Sequence, residues 1–182
     1  MTKKKQINTP KCIACFPKVF RPDRDSNKYQ LTMVFEEGTN LKELGDYLNA
    51  ARVEAYGNAK GIEMPLKLST EAKGEKYPVL KGRYTLTAKT EFAPIVMEVG
   101  PAGKPIVMEN QANFYAGCYV LVSISTYPWE FKGRKGIGVN LKNILKVADG
   151  QRLGAAPGNE FDEYSFEAQT SLDGPKDEYM FE

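Results

Sequence analysis

The chain has no histidine among its 182 residues, and that absence removes the commonest general base and the commonest metal ligand together. Cysteine is scarce. Three thiols, an odd number, make no disulfide framework and suit a reducing compartment, where they act as small apolar residues. Cys12 and Cys15 have the spacing of half a zinc or redox site. No second pair and no histidine complete it, and residues three apart on a strand face opposite sides, so no metal is expected. A phosphate-cradling Gly-rich loop is also missing, since residues 133–138 lack its spacing and lead into a strand. No apolar run approaches the roughly 18 residues that cross a bilayer. The lysines of residues 1–6 have no hydrophobic stretch behind them, as a secretion signal requires. These absences lead to the expectation of a cytoplasmic protein without cofactor or catalytic residues.

What is present is an ordinary globular composition, 42% hydrophobic and 26% charged, long enough for one domain with a core. The net charge of +2 conceals a division. Residues 1–152 carry 24 Lys and Arg against 15 Asp and Glu, a net +9, whereas residues 153–182 carry one Lys, Lys176, against eight acids, a net −7. A basic body with an acidic end points to a polyanion partner and a segment that imitates it. The expected organisation is a folded domain over 1–152 and an acidic, mostly disordered tail over 153–182, where acids interleave with Phe161, Tyr164, Phe166, Tyr179 and Phe181.

Strand-like runs occupy residues 11–16 and 28–35, the second alternating apolar Tyr29, Leu31, Met33 and Phe35 with polar neighbours. Residues 40–56 form the one helical pattern, with Leu41, Leu44, Leu48, Ala51 and Ala55 on one face, Asn40 and Glu43 placed as a capping box, and Gly57 as the stop. Residues 58–79 look like loops. A strand at 83–89, a hairpin through Gly100 and Gly103 joining 95–99 to 106–108, and strands at 116–127 and from Ile137 onward complete the pattern. Five or six mainly antiparallel strands with one inserted helix predict a mainly β protein, a single closed barrel of OB type, because closure removes exposed edges.

Two clusters carry the chemistry. Around the expected turn at 130–134 lie three aromatics and three cations, Tyr127, Trp129, Phe131, Lys132, Arg134 and Lys135. Bases stack on aromatic faces while Lys and Arg neutralise phosphates, both with little regard to sequence. The loop after the first strand holds Lys18, Phe20, Arg21, Arg24 and Lys28, and OB folds commonly grip oligonucleotides with the loops joining the first two and last two strands. Arg83 and Lys89 add cations to an outer strand face. Paired carboxylates such as Asp23 and Asp25 more often cap turns than hold metals.

Gly117, Cys118, Tyr119 and Val120, then Tyr127, Gly133, Lys135 and Gly136, then the run from Leu141 through Asp149, Gly150 and Gln151 to Gly154, followed by Phe161 and Asp162, resemble the phage single-stranded-DNA-binding proteins related to the T7-type replication protein. Phe16, Pro17 and residues 28–35 echo the same family. The resemblance implies an OB fold that binds and protects single-stranded DNA during phage replication or recombination. It further implies a tail that contacts phage or host replication proteins, here through Asp177, Glu178, Tyr179, Phe181 and Glu182. The alternative is a β-barrel interaction module that binds no nucleic acid.

Overall fold

A computed structural model describes residues 6–153. In chain order these form β1 (Ile7–Asn8), β2 (Cys12–Lys18), β3 (Tyr29–Phe35), α1 (Lys42–Tyr56), β4 (Ile62–Glu63), β5 (Lys67–Leu68), α2 (Glu71–Lys76), β6 (Tyr84–Thr90), β7 (Ile95–Val99), β8 (Pro105–Val107), β9 (Tyr119–Phe131) and β10 (Arg134–Ala148). β2 pairs with β3, β3 with β6, β6 with β10, β10 with β9, and β9 returns to β2. Only the β6–β10 link in this ring is parallel. The five strands therefore close a Greek-key barrel in the order of an OB fold, as the sequence predicted.

Period-two alternation fills the barrel. Cys12 and Ala14 of β2, Leu31, Met33 and Phe35 of β3, Leu86 and Ala88 of β6, Val120, Val122 and Ile124 of β9, and Val139, Leu141 and Ile144 of β10 are buried in one cluster. Helix α1 adds Leu44, Tyr47 and Leu48 to it. The helix begins at Lys42, one residue later than an Asn40 cap implies, although Asn40 Oδ1 accepts from the Lys42 N–H at 3.0 Å as a capping side chain does. Gly57, at φ 59°, ends it with its N–H on the Val53 carbonyl at 2.8 Å.

Residues 58–79 are not simply loop. β4 pairs with the start of β10, and β5 with the start of β6, so this segment fills the opening where β6 and β10 diverge, those two strands meeting only at Lys89 and Asn140. Met64 and Leu66, between the two short strands, pack against the core. Strands of two residues are too short to show a period. Helix α2 is started by Thr70, whose hydroxyl accepts from the Lys73 N–H at 3.2 Å.

A second cluster lies outside the barrel wall, where Ile13, Cys15, Val34 and Leu80 are buried with Phe16, Tyr77, Tyr119 and Leu153 against them. Cys12 and Cys15 thus belong to opposite faces of β2. The Cys12 thiol donates to the Val120 carbonyl, and burial pushes both thiols up to about 12. The chain reaches this cluster through a close backbone crossing. Gly117, at φ +112°, leaves no room for a Cβ beside the Gln151 carbonyl, and Gly150 leaves none beside the Gly117 carbonyl.

The last two barrel strands run further than predicted. The expected turn at 130–134 contracts to Lys132 and Gly133, at φ 50° and 80°, the two positive values of a type I′ hairpin turn. Residues on either side pair without a break from Arg134–Phe131 to Leu141–Ile124. Tyr127, Trp129 and Phe131 accordingly sit on a strand, not in a loop.

Candidate nucleic-acid interface

Cross-strand register sets the aromatic residues of the hairpin. Tyr127 lies opposite Gly138 and Trp129 opposite Gly136, and a Cβ on either glycine would overlap the facing ring. The glycines let the rings lie down on the sheet. Tyr127 remains 39% exposed and Phe131 62% exposed. Trp129 is half-buried and differently used. Arg134 stands 5.9 Å from its ring centroid and forks onto both carboxylate oxygens of Glu63, at 2.6 and 2.7 Å. That fork holds the Glu63 carboxyl below its usual range. From the other side the Tyr56 hydroxyl donates to the Trp129 carbonyl at 2.7 Å. Trp129 and Arg134 brace the hairpin against α1 and β4.

The remaining cations of this cluster separate. Lys132, at the turn, stands 5.2 Å from the Phe131 ring centroid, whereas Lys135 points to the opposite face of β10 from Arg134, 6.0 Å from the Tyr56 ring.

Tyr127 forms one wall of an open cleft of about 410 Å³. Lys28 reaches it from the loop between β2 and β3, Lys89 from the end of β6, and Lys142 from β10, and Asn140 and Phe92 complete this lining. Lys89 and Asn140 are brought together by the single β6–β10 pairing, and Asn140 donates to Ser125 at 3.4 Å. Glu91 is the one acid at the rim. Among the described residues none of the three lysines forms an ion pair. Phe92, at 79% exposure, is the most exposed large apolar side chain described.

The first loop is shaped by Asp23. Its carboxylate accepts from the Asp25 and Ser26 N–H groups, each at 3.1 Å, and the Ser26 bond chiefly lowers its pKa. That is the capping role expected of it. Lys18, Arg21 and Arg24 are exposed around this turn. Phe20 packs edge-on to Phe114, with centroids 6.2 Å apart, and rests on the barrel core. Arg83 lies beyond the other end of β6 from Lys89, ion-paired to Glu37 at 3.3 Å and bonded to the Val79 carbonyl. The structure therefore brings together Lys28, Lys89 and Tyr127, and sets Arg83, Lys135 and Phe20 apart from them.

Phe92, Asn140 and Lys142 were missed by sequence reasoning. Phe92 falls in the short link between two strands, where an exposed phenylalanine was the available signal. Lys142 lies inside the run that carries the family resemblance, but nothing local says which way it faces. The tail residues Asp177, Glu178, Tyr179, Phe181 and Glu182 lie outside the described residues.

Among solved structures, the chain is similar to the single-stranded DNA-binding protein from bacteriophage Enc34 in complex with ssDNA, at 20% identity and a TM-score of 0.69 over 82% of this chain and 90% of that one. Another structure of the same phage protein gives 20% identity and a TM-score of 0.69 over 88% of this chain and 90% of that one. A more distant likeness is gp2.5, a single-stranded DNA binding protein encoded by bacteriophage T7, at 13% identity and a TM-score of 0.56 over 82% and 94%. At these identities the structures speak for the fold. No curated protein matches the chain. The model of the family described as the ssDNA-binding protein of Enterobacter phage Enc34 matches residues 5–173, nearly the whole sequence, and the chain belongs to that family.

Proposed function

We propose that this protein binds single-stranded DNA regardless of base order, holding it in the cleft between the β2–β3 loop and the β9–β10 hairpin. The observation that carries the reading is the convergence of Lys28, Lys89 and Lys142, none ion-paired among the described residues, on a cleft walled by the Tyr127 and Phe92 rings. Lysines neutralise phosphates and rings stack bases, so the two sets together fit an unpaired strand and not a duplex, whose bases are already stacked. Arg21, Arg24, Lys132 and Phe131 extend the positive and aromatic surface at either side. The protein works by holding the strand, performing no chemistry on it, in the cytoplasm of a phage-infected cell during replication or recombination.

Titrating a fluorescent oligonucleotide over a salt series tests this. Each phosphate neutralised on a single strand contributes about −0.7 to the slope of log K against log salt, so the three cleft lysines alone predict a slope of about −2 or steeper. Binding indifferent to salt would overturn the reading.

The acidic residues 154–182, net −7 beside a body of net +9, compete with DNA for the positive cleft and present their aromatic residues to replication proteins. Truncation after Gly154 is expected to tighten DNA binding, most at low salt where charges are least screened. Unchanged or weaker binding would exclude the competition.

A further inference from the structure

We infer that the outer face of the sheet formed by β9, β10, β7 and β8 is where a second copy of this chain docks, giving a symmetric pair. Register defines that face. Val122, Ile144 and Val96 lie side by side on β9, β10 and β7 and are buried in the core. Side chains alternate along a strand, so the rows on either side of these three point outward. One row runs Leu121, Leu145, Met97 and Val107 across all four strands, and the other runs Ser123, Asn143 and Ile95. Val99 and Pro105, opposed on β7 and β8, continue the same face.

Among the described residues the outer end of this face stays open, with Ile95, Val99 and Val107 exposed by 51, 47 and 61%. None of the four residues in the long row belongs to either buried cluster. Together they make an apolar patch of roughly 450 Å², a size at which the largest exposed patch of a protein is often functional.

Charge selects the occupant. The body, residues 1–152, carries a net +9, so two copies repel unless they meet where neither is charged. This face meets that condition. The charged residues that alternate with its rows, Glu98 and Lys146, turn the other way and both bond to Asn113, at 3.2 and 2.8 Å. An acidic partner would find no cation to pair with here, whereas a second copy brings the same uncharged surface, as an isologous contact requires. Two such faces with their rims bury about 1,000 Å², the lower bound for a specific interface, so a micromolar pair is expected. The face also borders the Tyr127 cleft, because Asn143 follows Lys142 and Ile95 lies three residues after Phe92. One pair therefore carries two clefts.

Sedimentation velocity on the full chain across the micromolar range tests this, and the unaltered protein is expected to pass from monomer to dimer. No DNA is present, so the outcome does not depend on the proposed binding of a strand. V107R places a cation at the exposed end of the long row and should weaken pairing by at least about 10-fold. V53R adds the same charge on α1, where the side chain is 47% exposed, and should leave pairing unchanged. Raising salt from about 0.1 to about 0.5 M should tighten the pair several-fold, because the bodies' repulsion is screened and no ion pair is lost. All three native thiols are buried, so a bismaleimide linker should join V107C chains and leave V53C chains single. A full chain that stays monomeric, unaltered pairing in V107R, an equal loss in V53R, weakening by salt, or crosslinking at position 53 but not 107 would each overturn the interface. If only a chain truncated after Gly154 pairs, its own remaining residues are the occupant and the second copy is excluded.

Discussion

Replacing Tyr127 by alanine is expected to weaken binding of single-stranded DNA by about 5- to 150-fold, the equivalent of the 1–3 kcal/mol that a base gains on an aromatic face. Its ring is 39% exposed and lies on Gly138, so little packing is lost and the thermal midpoint should move by no more than a degree or two. The glycine offers an independent route to the same result. Valine at position 138 keeps the tyrosine but places branched carbon where the ring now lies, which lifts the ring off the sheet and out of line with Lys89 and Lys142. G138V should therefore lose most of what Tyr127→Ala loses, as measured by fluorescence anisotropy with a labelled oligonucleotide. Full affinity in both variants would remove Tyr127 from the interface, whereas Trp129→Ala, which removes a brace, is distinguished by a lowered thermal midpoint.

The largest effect on stability is expected at Gly117. An alanine there meets the Gln151 carbonyl, and φ +112° is unfavourable for any residue with a Cβ. The backbone has little freedom to yield, because the Gly117 N–H is bonded to the Ala14 carbonyl at 2.8 Å and the Leu153 N–H to the Ala116 carbonyl at 2.9 Å. Gly117→Ala should cost about 3 kcal/mol, or about 6–12 °C in thermal midpoint for a chain of this size. Gly45→Ala provides the opposite sign. Gly45 is inside α1 with nothing within 4 Å of a new Cβ, and alanine there should stabilise by about 0.5–1 kcal/mol through helix propensity. If both substitutions moved stability equally, the crossing at Gly117 would not be the constraint the geometry makes it.

The three hairpin glycines show where sequence reading reached its limit. Gly133 falls inside the turn expected at 130–134, and Gly136 and Gly138 follow it in the next strand. Their actual uses differ, since Gly133 turns the hairpin while Gly136 and Gly138 accommodate rings from the facing strand. Nothing in a local window separates a turn glycine from one that receives a cross-strand aromatic. The cations behaved likewise: Arg134 and Lys135 are adjacent in sequence, yet strand alternation sends one toward Glu63 and Trp129 and the other toward Tyr56.

The sequence alone determined which side of β3, β6 and β9 is apolar, where α1 lies, where the chain's charge divides, and that no histidine is available to it. These are properties of spacing and composition, decided by a few neighbouring residues or by simple count. Only the tertiary structure decided that Lys28, Lys89, Tyr127 and Lys142 meet in one cleft, that Arg83 is tied to Glu37 away from it, and that the 62–76 segment fills the opening between β6 and β10. Those residues stand dozens of positions apart, and their meeting depends on strand register and barrel closure, which no short stretch of sequence encodes.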